Sequence, residues 1–296
     1  MQKSSVRSTV RLGAVAAALG AMALLGAGPG QAQAAATAVD PATPAGAQPL
    51  GSTSRAAQAL VFSDEFNGGP GSLDTSKWTA RDQERTESSR SDGIRWWYKP
   101  ANVRVIDSTD GDLAIDLTKL GTNQYAGGRI DTQSKYTYTY GSLEARVHVP
   151  PTNGHIGAVW AQADGGLTPG GVIDGTARDG AEMDIMESTY KADKYPATVI
   201  YDGYGSGYKL SSAVVNAPSL HGTWYHTYGL EWTPTSLKFL YDGAVVRTVT
   251  DPNLISQVQE FPILSHEILA SSEGSVLDAP LDFNSTVYVD YIRIWQ

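Results

Sequence analysis

The chain contains no cysteine, which excludes disulfides, thiol catalysis and cysteine-bound zinc. Its stability rests on its core, with a bound metal as the remaining kind of staple. Basic residues are outnumbered: 22 Lys and Arg stand against 31 Asp and Glu, a formal net charge of −9. An acidic exterior argues against nucleic-acid partners and weakly against sulfated polysaccharides. Helical periodicity is scarce and no internal repeat is evident. Long apolar runs are also missing, apart from Leu12 to Leu25, made almost wholly of Ala, Leu, Gly, Val and Met. Lys3, Arg7 and Arg11 precede that run and the small-x-small pattern Ala32-Gln33-Ala34 follows it. It is too short and too rich in Ala and Gly for a membrane span, so residues 1–34 read as a secretory signal peptide. The mature protein is therefore expected to be extracellular and free of the membrane.

Residues 35–59 are dominated by Ala, Pro, Thr, Gln and Gly without apolar periodicity and read as a disordered linker. About 237 residues remain, which suits one large domain over 60–296. Short alternating runs recur along it, among them Gly141 to Val149, Gly157 to Ala163, Leu237 to Tyr241, Ala244 to Val249 and Phe261 to Ile268. Clusters of Gly, Pro, Asn and Asp divide them, the pattern of a sandwich of two antiparallel sheets. Tyr241-Asp242-Gly243-Ala244 reads as a hairpin turn. Asp251-Pro252 reads as the start of one short helix.

The most informative stretch is Ala181-Glu182-Met183-Asp184-Ile185-Met186-Glu187-Ser188. In a regular strand Glu182 and Asp184 share a face with Met186, while Glu187 points into the core with Met183 and Ile185. A β-bulge near Ile185-Met186 removes the conflict, because one extra residue returns Glu187 to the first face. The outer two Cα atoms then lie roughly 13 Å apart. Long Glu side chains at both ends lean inward over the shorter Asp. Two carboxyls brought within ~5–5.5 Å are what glycoside hydrolysis with retention requires, one as nucleophile and the other as acid and then base. A third acid between them crowds negative charge and helps keep a proton on the acid.

This octapeptide resembles the active-site signature of glycoside hydrolase family 16 in its bulged form. Four further segments agree in order: Phe62-Ser63-Asp64-Glu65-Phe66-Asn67, Tyr140 to Arg146, Trp224 to Trp232, and Val289-Asp290-Tyr291-Ile292-Arg293-Ile294. The similarity covers about residues 60 to 296. It implies an all-β jelly-roll sandwich with a concave substrate cleft, and a secreted, monomeric endo-acting enzyme cutting β-glucans or β-galactans. No cofactor is implied for the chemistry. Two carboxylates, Glu65 and Asp290, match a calcium site found in many relatives, where oxygen ligands tie the chain ends together.

The resemblance also implies substrate contacts. Alternation puts Glu144 and Arg146 on one face of their strand, and the family match places them in the cleft. Trp160 and Gln162 point the same way, and a pyranose ring stacks on such an aromatic. Trp96 and Trp97 face opposite ways; the expectation assigned to substrate is Trp97, though the sequence does not choose. Asp202, Tyr204 and, on a later strand beside Ser265, Glu267 match positions near the sugar. His226 is expected to hydrogen-bond within the sandwich. Family members usually carry Trp where this chain has Ile156 and His where it has Ile200, which leaves the glycan open. A β-1,3- or mixed-linkage glucan is the first expectation. A galactan hydrolase, a transglycosylase and a non-catalytic lectin are the alternatives.

Overall fold

The computed structural model describes residues 38–51, 58–71, 73–85, 93–106, 111–151, 154–268, 270–271, 274–278 and 284–296. The signal-peptide reading of residues 1–34 lies outside them. The first strands are β1 Leu60–Asp64, β2 Thr79–Ala80, β3 Gln83–Arg85, β4 Arg95–Tyr98, β5 Val103–Ile106, β6 Asp112–Gly121 and β7 Gln124–Asp131. Then come β8 Gly141–His148, β9 His155–Ala163, β10 Glu182–Glu187, β11 Lys194–Tyr201, β12 Lys209–Asn216 and β13 His226–Thr233. The last are β14 Ser236–Tyr241, β15 Ala244–Val249, β16 Glu260–Ile268, β17 Ala270–Ser271, β18 Gly274–Ser275 and β19 Asn284–Trp295.

Two antiparallel layers emerge, as the alternating runs predict. The first follows the pairings β15–β14–β13–β8–β19, with β19 also pairing β6 and β1. The second runs β12–β11–β10–β9–β16–β7–β2. β7 joins the layers by pairing β6 as well. The architecture is the expected β-jelly-roll sandwich.

The core lies between the layers, where alternate residues of each strand meet. Leu143, Ala145 and Val147 from β8 join Val159, Ala161, Met183 and Met186 from the second sheet in one buried cluster. The layers approach closely at Gly128, where a Cβ would come within 2.6 Å of Ile115 Cγ2. Only glycine fits there. The turn between β14 and β15 is the expected hairpin: Asp242 and Gly243 both have positive φ, 47° and 74°, as a type I′ turn requires. The helix after Asp251 is a single 3₁₀ turn, Pro252–Leu254, capped by the Asp251 carboxylate on Asn253 N–H. The pattern of the sequence misses β12, because most of its residues on both faces are exposed or half-buried and no apolar alternation marks it.

The linker expectation needs correction over residues 38–51. Ser63 N–H donates to Ala38 O at 3.0 Å, Thr43 Oγ1 donates to Glu65 at 2.7 Å, and the Trp295 indole donates to Ala47 O at 2.9 Å. Leu50 N–H donates to Glu144 Oε2 at 2.8 Å. A polar segment without periodicity buries little apolar surface, yet its backbone groups find partners on β1, β8 and β19. Composition reports the first property and is blind to the second.

Candidate active site

The acid-rich strand β10 is bulged. Its register against β9 runs Glu182 to Gln162, Met183 to Ala161 and Asp184 to Trp160, then shifts, pairing Met186 with Val159 and Glu187 with Ala158. Ile185 is the extra residue. Met183, Ile185 and Met186 are all fully buried in the core, whereas Glu182 and Asp184 retain 7% and 4% exposure and Glu187 more. All three acids thus share the outward face of the second sheet, as the expected bulge requires. The rows beside them follow from register. Gln162, Trp160, Ala158 and Ile156 lie on β9, and Phe261, Ile263, Ser265 and Glu267 on β16. Ile200 and Thr198 on β11 stand opposite Glu182 and Asp184.

The two glutamates have different surroundings. Tyr204 Oη donates a short hydrogen bond to Glu182 Oε2, Gln162 Nε2 donates to the same oxygen at 3.1 Å, and Gln162 Nε2 also donates to Tyr204 Oη. Burial pushes the Glu182 carboxyl up to about 7, with Glu267 adding to the rise, while Tyr204, Arg129 and Arg85 act the other way. Glu187 is pushed up to about 8, by burial first and then by the charges of Glu182 and Glu267. Nothing offsets that rise. Asp184 is raised well above the ordinary carboxylate range by burial, then by Glu187, Glu182 and Glu267. The proton of the cluster therefore sits preferentially toward Glu187 and Asp184, while donors favour the ionised form of Glu182. A proton donor and a nucleophile on one surface is the arrangement that acid-assisted displacement at an acetal carbon needs.

A match to the model of glycosyl hydrolases family 16 extends over residues 90–291. The chain belongs to that family. This family 16 chain is 23% identical over 80% of its length to glucan endo-1,3-beta-glucosidase A1 of Niallia circulans. It is 24% identical, again over 80%, to a keratan-sulfate endo-1,4-beta-galactosidase of Sphingobacterium multivorum. It spans 38% of the first relative's length and 55% of the second's. Among solved structures it resembles a Bacteroides ovatus mixed-linkage glucan family 16 protein in complex with its G4G4G3G product. There the TM-score is 0.65 at 21% identity, covering 79% of this chain and 99% of that one.

The remaining expected positions divide. Trp160, Gln162, Tyr204 and Glu267 surround the acids. Trp160 is only 8% exposed, with Arg129 4.8 Å above its ring and its Nε1–H donated to Ser265 Oγ at 3.0 Å. Glu144 and Arg146 do not reach the cleft: β8 belongs to the first sheet, where Glu144 accepts Tyr291 Oη at 2.7 Å and Arg146 pairs with Asp290 and lies over Tyr225. Alternation gave their face correctly but not their sheet. Asp202 is also withdrawn from the substrate. It is buried, accepts Gly175 N–H at 3.0 Å and pairs with Lys209 at 2.9 Å, pinning the loop before β10. Trp97 faces away from Tyr98, whose hydroxyl feels the charge of Glu267, and packs under Arg95. Trp96, on the Tyr98 side, is buried beneath Arg85. Its neighbours decide this choice, and the sequence does not show them.

The calcium expectation fails the test of its donors. Glu65 spends both oxygens on Arg293, at 2.8 and 2.7 Å, and also accepts Thr43; Asp290 is held by Arg146. Guanidinium partners take the lone pairs a cation needs, and no group of three or more His, Cys, Asp or Glu among the described residues is set to hold a metal. His226 behaves as expected, bridging Asp242 at 2.7 Å and Ser219 O at 3.0 Å away from the acids. Sequence reasoning missed Arg129, Arg85 and Tyr98. Gly128-Arg129-Ile130-Asp131 carries an alternation that sends Arg129 and Asp131 outward together, and this was the one legible signal.

Proposed function

We propose that this family 16 chain is a secreted, endo-acting hydrolase that cleaves β-1,3- or mixed-linkage β-glucan with retention of anomeric configuration. The observation that carries the reading is the bulged strand, which gathers Glu182, Asp184 and Glu187 on one face and gives hydrogen-bond donors to Glu182 alone. In the first step a Glu182 oxygen attacks the anomeric carbon while Glu187 gives its proton to the departing glycosidic oxygen. The carbon–oxygen bond to the leaving sugar breaks as the bond to Glu182 forms. In the second step Glu187, now a carboxylate, takes a proton from water, whose oxygen displaces Glu182 from the same carbon. Asp184 sits between them and shares the cluster's proton. Gln162 and Tyr204 hold the Glu182 carboxylate for attack.

The glucan-acting relative and the mixed-linkage glucan structure support the substrate class. A galactan is the second reading, favoured by aliphatic Ile156 and Ile200 on the site face and by the keratan-sulfate relative. Reducing-end assays on laminarin, lichenan, agarose and carrageenan with the purified protein separate the two. Proton NMR of the first product formed tests the stereochemistry: the β-anomer is expected. The α-anomer as first product rules out retention, and longer oligosaccharides than were supplied reveal a transglycosylase.

A further inference from the structure

The site face holds a fourth carboxylate that the catalytic steps leave unused. Glu267 lies near the end of β16, two residues past Ser265 and on the same face. Ser265 stands opposite Ala158 of β9 on one side and Arg129 of β7 on the other, and Ala158 stands opposite Glu187. One row across four strands thus reads Arg129, Ser265, Ala158, Glu187. With neighbouring strands ~4.8 Å apart, the backbones of Ser265 and Glu187 are separated by about 10 Å. Only the methyl of Ala158 stands between them on that face.

A hydrogen-bond chain crosses this space. Trp160 Nε1–H donates to Ser265 Oγ at 3.0 Å, and Ser265 Oγ–H donates to Glu267 Oε1 at 2.7 Å. Ser265 is fully buried and its hydroxyl is committed at both ends. Glu267 is half-buried, and its other oxygen, Oε2, has no hydrogen bond or ion pair among the described residues. The Arg129 guanidinium covers the Trp160 ring from one side, so the indole is fixed by a stack and a hydrogen bond together.

We propose that Glu267 is a positioning and specificity residue of the cleft: through Ser265 it fixes the plane of Trp160, and with Oε2 it accepts a hydroxyl of the sugar stacked there. This rests on the glycan reading above and adds the chemistry of the occupant. A carboxylate acceptor selects a neutral sugar with a free hydroxyl at that position and rejects one bearing a sulfate ester or carboxylate there. The charge of Glu267 also reaches Glu182, Asp184 and Glu187 and raises all three. The groups facing it from the neighbouring elements are Tyr98 of β4, Arg85 of β3, Arg129 and Asp131 of β7, and the β10 acids. Of these, Arg129 and Arg85 oppose the rise at Glu182 and leave Glu187 to carry it.

The test compares wild type, Ser265→Ala and Glu267→Gln. KM and kcat on laminarin and lichenan are measured across the pH range of activity. Glu187 is titrated by NMR in carboxyl-labelled protein without substrate, and the Trp160 indole N–H resonance is assigned with Trp160→Phe. In Ser265→Ala the indole resonance moves and KM rises about tenfold with a much smaller change in kcat. In Glu267→Gln, whose carboxamide oxygen still accepts from Ser265, the Glu187 titration moves down by about half a pH unit or more. KM rises there as well. An indole resonance that stays in place in Ser265→Ala, or a Glu187 titration in Glu267→Gln that coincides with wild type, overturns the proposal. If wild type cuts neither glucan, the functional reading falls, while the two NMR readouts still judge the arrangement around Glu267.

Discussion

The two sheets treat their acids in opposite ways. On the outer face of the first sheet, carboxylates are matched with cations: Glu65 with Arg293, Asp290 with Arg146, Asp116 with Arg104, and Glu231 with Lys238. On the site face of the second, Glu182, Asp184, Glu187 and Glu267 crowd together, and none of them forms an ion pair with a described Lys or Arg. Both sets sit on alternating strands of one sandwich. The first arrangement costs little to fold, because each charge loses water but gains a partner. The second imposes repulsion and desolvation that the rest of the core must offset. Acids held together without counter-charges therefore mark where chemistry is done, and acids with arginines mark where the sandwich is tied shut.

The largest expected effect that sharpens this contrast is on turnover. Glu182→Gln is expected to lower kcat on the best substrate of the panel by at least about three orders of magnitude with the fold unchanged by circular dichroism. Glu65→Gln, which removes an equally enclosed acid from the other face, is expected to leave kcat within about twofold. Comparable losses in both erase the distinction between the faces.

A middle-sized effect falls on stability. Arg293→Met strips the Glu65 carboxylate of its bidentate partner in a site where both side chains are mostly enclosed. It should cost about 2 kcal/mol in urea unfolding, with little change in KM. An unchanged unfolding midpoint shows that the pair contributes nothing, and the reading of the outer face as a set of ties is then wrong.

The smallest effect is a gain. Because Glu187 is held up to about 8 from an ordinary 4.5, the folded state binds its proton more tightly than the unfolded chain. Ionising it costs nothing below the unfolded value, an increasing amount as pH rises, and the full amount above the folded value. Glu187→Gln should therefore melt a few degrees higher than wild type near pH 8 and at the same temperature near pH 4.5. A variant destabilised at the upper pH contradicts the raised carboxyl.

Part of this was readable along the chain. Period-two alternation located most of the long strands, and the clash between a core pattern and Glu187 forced the bulge before any coordinate was consulted. Asp-Gly between two apolar runs fixed one hairpin, since both residues tolerate positive φ. Edge strand β12 escaped because its exposure on both sides leaves no pattern. The site was legible on β10 and on β9, where Trp160 and Gln162 alternate into line with the acids. Glu144, Arg146, Asp202 and Trp97 went astray for a common reason: alternation reports a face and cannot say what lies across from it.

The sequence by itself determined the faces. Side chains of a strand alternate strictly, so an acid among apolar residues either breaks the rule or declares a bulge, and this chain declares one at Ile185. Which acids meet, which meet an arginine, and which nitrogen or hydroxyl reaches each carboxylate were decided by strand order and register between segments distant in the chain. Ser265 and Trp160 are 105 residues apart and Glu65 and Arg293 are 228 apart, contacts that arise only when the sheets close over a shared core.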